Sequence, residues 1–260
     1  QNSDVHLGKI DTDVPKSFKG TKEEAERQLE SLRKRLDGLQ ELLYAENKHK
    51  LLIVLQAMDT GGKDGLIRYV FSGVNPQGVN VVRFKEPSLE ELSHDYLWRV
   101  HAKTPEKGKI TIFNRSHYED VVVVKVHDLV KPKVIAKRYG HINDFERMLT
   151  DEGVTILKFF LHISKEEQRK RIQERLDEKN KNWKFALSDV HERKSWASYM
   201  NCYQEAIKKT SSSWAPWLVV PADKNWYRNL VVFQSIIDHL EGLKMKYPKS
   251  CVDPKTVHFK

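Results

Sequence analysis

The feature that most constrains this chain is an apolar run that breaks into a glycine pair and a lysine. Leu51–Lys63 reads LLIVLQAMDTGGK and passes at once into helical spacing. A continuous hydrophobic run is the pattern of a strand buried on both faces, and a helix starting just past it aims its free backbone N–H groups and positive dipole end back at the connecting turn. Such a turn holds an anion. The phosphate-binding (Walker A, or P-loop) spacing G-x-x-x-x-G-K-S/T falls on Ala57, Gly62, Lys63 and Asp64, so alanine replaces the first glycine and a carboxylate stands where a hydroxyl binds Mg²⁺. Asp59, inside the turn, would repel phosphates unless a cation lay between, which makes it a candidate magnesium ligand, directly or through water. The competing reading is a plain strand-to-helix turn permitted by Gly61 and Gly62, with Lys63 solvated.

Further apolar runs at Val79–Phe84, Lys109–Phe113, Val154–Ile163 and Trp217–Val220 read as four more strands. Helical patterns separate them. Thr21 with Glu24 forms a capping box opening a helix whose Leu29, Leu32, Leu36, Leu39 and Leu43 make one apolar stripe, a packing face and a candidate dimer seam. Ser88 with Glu91 caps a helix to about Lys103, helical spacing resumes from Tyr118 to about His127, Ser164 with Glu167 is another capping box, and Asp223 opens a last helix to about Leu243. This alternation predicts an α/β fold with a parallel five-stranded sheet covered by helices on both faces, ligands gathering at the carboxyl ends of its strands. Residues 1–20 carry little pattern and read as an extension, disorder being expected only at the two ends; 21–260 read as one domain.

With 260 residues, 39% of them hydrophobic, the chain can bury a proper core. Its net charge of +9 attracts polyanions, whether nucleic acid, an acidic membrane surface or a phosphate polymer. Cys202 and Cys251 stand at no metal-ligand spacing, so neither a disulfide framework nor a zinc site is indicated and a reducing cytoplasm is the expected location. No apolar run approaches the roughly 18 residues that span a bilayer, so no membrane partner is expected, and the polar start lacks a signal-peptide core.

The third strand runs into IFNRSHYED. Asn114 takes the strand-end position where a neighbouring strand commonly delivers a Walker-B carboxylate to the metal, and Glu119 and Asp120 follow at a helix start, either reaching the same magnesium as Asp59 or merely complementing the helix dipole. Arg115 can hold phosphate oxygens bidentately. Lys85, just past the second strand, is a further candidate phosphate contact. His117 and His127 have no ligand residues at metal spacing and read as structural or surface groups. In SKEEQRKRIQERLD, Arg169, Arg171 and Arg175 lie within a few turns, and Trp183 and Phe185 follow among lysines. A basic helix hairpin with an aromatic tip, about 165–195, looks like the mobile lid of a nucleotide kinase, although a charge-laced helix is also an ordinary solvated face.

Taken together, LQAMDTGGKDG, SGVNPQG, FKEPS, ELSHDYLWR, IFNRSHYED, LKFFLHISKEEQ, NWKF and APWLVVPAD resemble, in order, the signature blocks of polyphosphate kinase family 2, most closely its class III branch, from about Lys50 to Leu243. The resemblance implies a P-loop kinase fold with a helical lid that passes a phosphoryl group from inorganic polyphosphate to nucleoside mono- and diphosphates, AMP to ADP and ADP to ATP. It further implies that Gly61, Gly62, Lys63 and Asp64 cradle phosphate, that Asp59 with Asp120 and Glu119 binds Mg²⁺ (Mn²⁺ as the alternative), and that Arg115, Arg171 and Arg175 neutralise the donor and the transition state. Asn114 with Glu119 and Asp120 resembles the branch that accepts both mono- and diphosphates. Family habit and the leucine stripe suggest a homo-oligomer, dimer or tetramer. The connection Asp128–Gly140 is shorter than the family pattern. Two rivals share parts of this pattern: an ATP-dependent nucleoside monophosphate kinase, and a basic nucleic-acid-binding module using Trp183, Trp196, Tyr199 and Tyr203 as stacking platforms, although no nucleic-acid partner is expected.

Overall fold

The computed structural model describes residues 5–250; Cys251 lies outside them. Five strands, β1 (Lys50–Ala57), β2 (Val79–Arg83), β3 (Ile110–Asn114), β4 (Val154–His162) and β5 (Trp217–Pro221), form one all-parallel sheet of order β2-β3-β1-β4-β5. The helices, in chain order, are α1 (Lys22–Glu46), α2 (Lys63–Val70), α3 (Leu89–Ser93), α4 (Trp98–His101), α5 (Glu119–Val126), α6 (Pro132–Asp151), α7 (Lys165–Asp177), α8 (Leu187–Lys194), α9 (Trp196–Thr210) and α10 (Asn225–Gly242). The central strands are buried almost throughout, as parallel strands covered on both faces must be. The connection leaving β1 runs toward β2 and that leaving β4 toward β5. A crevice therefore opens at the carboxyl ends of β1 and β4, the place where such sheets bind ligands.

Several boundaries differ from expectation for physical reasons. The helix expected from Ser88 to about Lys103 is two short pieces. The Ser88–Glu91 capping box forms, but α3 buries no residue, and the Asp95 carboxylate accepts the Leu97 N–H at 2.9 Å to start a turn. Ser164 caps α7 through Glu167 N–H at 3.0 Å, yet the Glu167 carboxylate accepts from Arg171 Nε at 2.7 Å, which leaves the box half made. Asp223 caps nothing on α10: its carboxylate accepts the Ser164 N–H at 2.8 Å and the Thr12 hydroxyl at 2.7 Å. Nor is the described part of the N-terminal segment disordered, since Leu7 is buried and its carbonyl accepts from His162 at 3.0 Å. Leu29, Leu32, Leu36 and Leu43 of the α1 stripe are buried inside the chain, on the helix that packs against α10, and Leu39 is half-buried.

One polar cluster sits within the core. Lys158, on β4, donates to the Glu146 carboxylate at 2.5 Å, the Tyr118 hydroxyl at 2.9 Å and the Thr210 carbonyl at 2.8 Å. Tyr118 in turn donates to Glu146 at 2.8 Å, and the His117 ring lies 3.2 Å from the same carboxylate. Lys158, Glu146 and His117 are fully buried. His117 is thus structural, as its isolation in the sequence suggested, and the cluster fixes Tyr118, the residue before α5. Among the described residues no helix is long and apolar enough to cross a membrane.

Candidate active site

The turn between β1 and α2 is closed by Gly61 N–H donating to the Met58 carbonyl at 2.9 Å. A Cβ on Gly61 would stand 2.5 Å from the Ala57 methyl and 2.8 Å from the Met58 oxygen, so the turn has room for one methyl group only, and Ala57 supplies it. Gly62 caps α2 with φ +91°, a conformation that disfavours a side chain. The expected anion-binding turn is thus formed, with the N-terminus of α2 at its mouth.

Lys63 reaches back across the turn and donates to the Ala57 carbonyl at 3.1 Å. Burial lowers its pKa; Arg115 pushes the same way, while Asp59, Glu119 and Asp64 oppose them. Strand β3 lies beside β1 with Leu55 opposite Asn114, which brings the Asn114 amide to within 2.5 Å of the Asp64 carboxylate, its acceptor. Arg115 follows with φ +64°, a left-handed backbone that costs a non-glycine residue about 1 kcal/mol or more and is held by its surroundings. That turn aims its guanidinium into the crevice, 3.0 Å from Asp59 and 3.9 Å from Glu119. Burial raises the pKa of Glu119, against the pull of Arg115 and Lys63. Asp59, Lys63, Arg115 and Glu119 line one cleft with Met58, Val123, Tyr199 and Tyr203.

Other expected residues stand elsewhere. Asp120 faces Arg99 and Arg138, 3.8 Å from each, and its carbonyl accepts from Arg138 at 2.8 Å; it belongs to an arginine clamp and not to a carboxylate pair with Asp59. Lys85 is exposed, and its carbonyl accepts from Arg99 at 2.8 Å. Arg171 reaches the turn, donating to the Thr60 carbonyl at 3.2 Å and the Ala222 carbonyl at 2.7 Å. Arg175 bridges the two arms of the α7–α8 hairpin, bonding the Lys184 carbonyl at 3.2 Å and Asp189 at 3.0 Å. Trp183 is exposed near the tip of that hairpin, whereas Tyr199 and Tyr203 are buried and offer no open stacking face. Tyr203 donates to the Ala57 carbonyl at 3.1 Å, and Gln168 to the Asp59 carbonyl at 3.1 Å. Neither was singled out as part of the turn from sequence, because each reaches it from more than 100 positions away in the chain.

The arrangement offers a cationic, amide-lined turn beside two carboxylates, at the mouth of a crevice. It suits two anionic groups drawn together around a cation. The family model for polyphosphate kinase 2 (PPK2) matches residues 19–248. An AMP/ADP-polyphosphate phosphotransferase of Meiothermus ruber is 58% identical over 243 residues, covering 94% of this chain and 91% of that protein. An ADP-polyphosphate phosphotransferase of Rhodopseudomonas palustris is 46% identical, with 95% and 89% covered. The crystal structure of polyphosphate kinase 2 from Arthrobacter aurescens superimposes with a TM-score of 0.94 at 42% identity, covering 97% of this chain and 91% of that one.

Proposed function

This chain belongs to the polyphosphate kinase 2 family, and from that premise we propose that it transfers a phosphoryl group from inorganic polyphosphate to nucleoside mono- and diphosphates, AMP to ADP and ADP to ATP. The observation that carries the proposal is the convergence of Lys63, Arg115, Asp59 and Glu119 on one cleft beside an anion-binding turn. Phosphoryl transfer through a loose transition state asks for alignment and for positive charge on the equatorial oxygens, with little covalent work from the protein. Lys63 and the N–H groups at the start of α2 bind the phosphate being transferred. Arg115 now satisfies its charge on Asp59 and Glu119, and an arriving phosphate competes for that guanidinium with a better-matched bidentate geometry. No general base is needed, because the attacking acceptor oxygen is already anionic.

Asp59 and Glu119 both flank Arg115 and present hard oxygen donors, the chemistry a small divalent cation requires, so they fit Mg²⁺ or Mn²⁺; Asp120, held by Arg99 and Arg138, does not join them. When bound, the ion supplies charge neutralisation between donor and acceptor phosphates. The α7–α8 hairpin acts as the lid, with Arg175 holding its arms together and Arg171 carrying charge to the turn. Asn114, by restraining Asp64, sets how the acceptor phosphate sits. A cytoplasmic setting fits the buried, unpaired thiol of Cys202.

The test is a donor comparison. Long-chain polyphosphate should convert AMP to ADP, and ADP to ATP, with no ATP supplied; conversion of AMP by ATP but not by polyphosphate would make the protein an ATP-dependent nucleoside monophosphate kinase instead. Run with Asn114→Asp, which sets a second carboxylate against Asp64, the same assay should change the AMP-to-ADP rate ratio about tenfold, worth ~1.4 kcal/mol. An unchanged ratio removes Asn114 from acceptor choice.

A further inference from the structure

Arg228 lies in the first turn of α10 and is only 2% exposed. A buried guanidinium ordinarily meets a carboxylate. Here Nη1 donates to the Asn225 side-chain oxygen at 2.8 Å, and Nη2 and Nε donate to that of Asn229 at 2.7 and 3.2 Å. No carboxylate lies within ion-pair distance of it among the described residues, and a second cation, Arg171, is its neighbour. Burial first, and then Arg171, push the Arg228 pKa down to about 9. Arg171 is paired with Glu167 at 2.7 Å, which leaves Arg228 as the buried cation without a counter-charge of its own, a group ready for an anion.

The place where they meet is the phosphate-binding turn itself. A Cβ on Gly62 would stand 2.1 Å from Arg228 Nη1 and 3.3 Å from Arg171 Nη1, so both guanidinium groups close on the backbone at which α2 begins. They border a groove of about 580 Å³ running between α2, α7 and the start of α10, which also takes in Lys170 and Lys224. Of the acids that line it, Glu167 pairs with Arg171, Glu26 with Lys22, and Asp223 accepts from Ser164 and Thr12, while Glu174 stands on the face of α7. This groove is distinct from the cleft lined by Asp59, Arg115 and Glu119, where the Arg115 guanidinium already faces two carboxylates.

We propose that Arg228, with Arg171, binds the polyphosphate donor next to its reacting end, so that the chain lies in the groove between α7 and α10 while the acceptor phosphate enters on the Arg115 side. The assignment rests on polyphosphate being the donor. A repeating anion without a base gains most from a buried guanidinium such as that of Arg228, whose side-chain partners are the neutral Asn225 and Asn229. Gly62 separates the two substrates, and a side chain there would displace Arg228.

The test uses the whole chain and its Arg228→Met and Arg228→Lys variants, with inorganic tripolyphosphate as the probe in melting experiments without nucleotide. Tripolyphosphate should raise the wild-type Tm; in Arg228→Met the rise should vanish while the unliganded Tm stays the same or increases, because an uncompensated buried charge has been removed. In steady state Arg228→Met should raise KM for long-chain polyphosphate about 10- to 100-fold and leave KM for AMP within about twofold, with Arg228→Lys in between because it keeps the charge and loses the fork. A wild-type polyphosphate KM in Arg228→Met, a tripolyphosphate shift that survives it, or a large fall in its unliganded Tm would each overturn the assignment. Failure of wild-type protein to use polyphosphate as donor would overturn the proposed function separately, since the melting shift is read without turnover.

Discussion

Replacing Lys63 with alanine is expected to lower kcat/KM for transfer from polyphosphate to AMP by about 10³-fold, the usual cost of deleting one charge aimed at a developing anion in a water-poor site. Among the described residues Lys63 donates to the Ala57 carbonyl alone, and burial works against its charge. Its loss should therefore leave the Tm within about 2 °C of wild type and keep the turn closed, since the Gly61–Met58 hydrogen bond does not involve it. Rates and melting curves on the same preparation separate the effects. A variant that retained a tenth or more of wild-type turnover would mean that the turn does not hold the transferred phosphate. The nucleic-acid-binding alternative makes the opposite forecast, a modest affinity loss with no turnover to lose.

The largest effect on stability is expected at Lys158, far from any substrate. Lys158→Ala strands the Glu146 carboxylate in the core and takes a donor from the Tyr118 hydroxyl and from the Thr210 carbonyl. Breaking one side of a fully buried pair costs about 3–5 kcal/mol, which for a chain of this size is a fall in Tm of roughly 10 °C. Lys158→Met combined with Glu146→Leu should recover much of that loss, because no unpaired charge remains. The Lys158 ammonium and the His117 ring hold the Glu146 carboxyl below its ordinary 4.5 despite burial. A depressed carboxylate contributes stability that is fully present above the unfolded value and is lost as the pH falls through the folded one. Wild-type stability should accordingly drop on acidification below about pH 4.5, with a smaller drop in the double variant, as followed by urea unfolding at several pH values. Equal acid sensitivity in the two proteins would remove the cluster from the acid transition.

What was legible in the sequence is what short-range physics controls. The apolar runs gave all five strands: β1, β3 and β4 because strands buried on both faces read as continuous apolar runs, and the edge strands β2 and β5 from short β-branched runs although they are only partly buried. The capping boxes at Thr21 and Ser88 formed because their partners lie three residues apart. The box at Ser164 half failed because Arg171, one turn further on, competes for Glu167. Asp120 turns toward Arg99 and Arg138, from α4 and α6, contacts that its neighbours in the sequence do not reveal. Tyr203 and Arg228 reach the turn through tertiary packing alone. The one local hint at Arg228 is an arginine in an amphipathic helix with asparagines at its three-residue and one-residue neighbours in place of acids.

The most direct measurement is a crystal structure of the protein with Mg²⁺, AMP and a methylene-bridged tripolyphosphate that cannot react. It should place the analogue across Gly62 and Lys63, with its far end against Arg171 and Arg228 and the AMP phosphate beside Arg115. An analogue bound elsewhere on this basic surface, with the turn at Lys63 empty, would contradict the site described here.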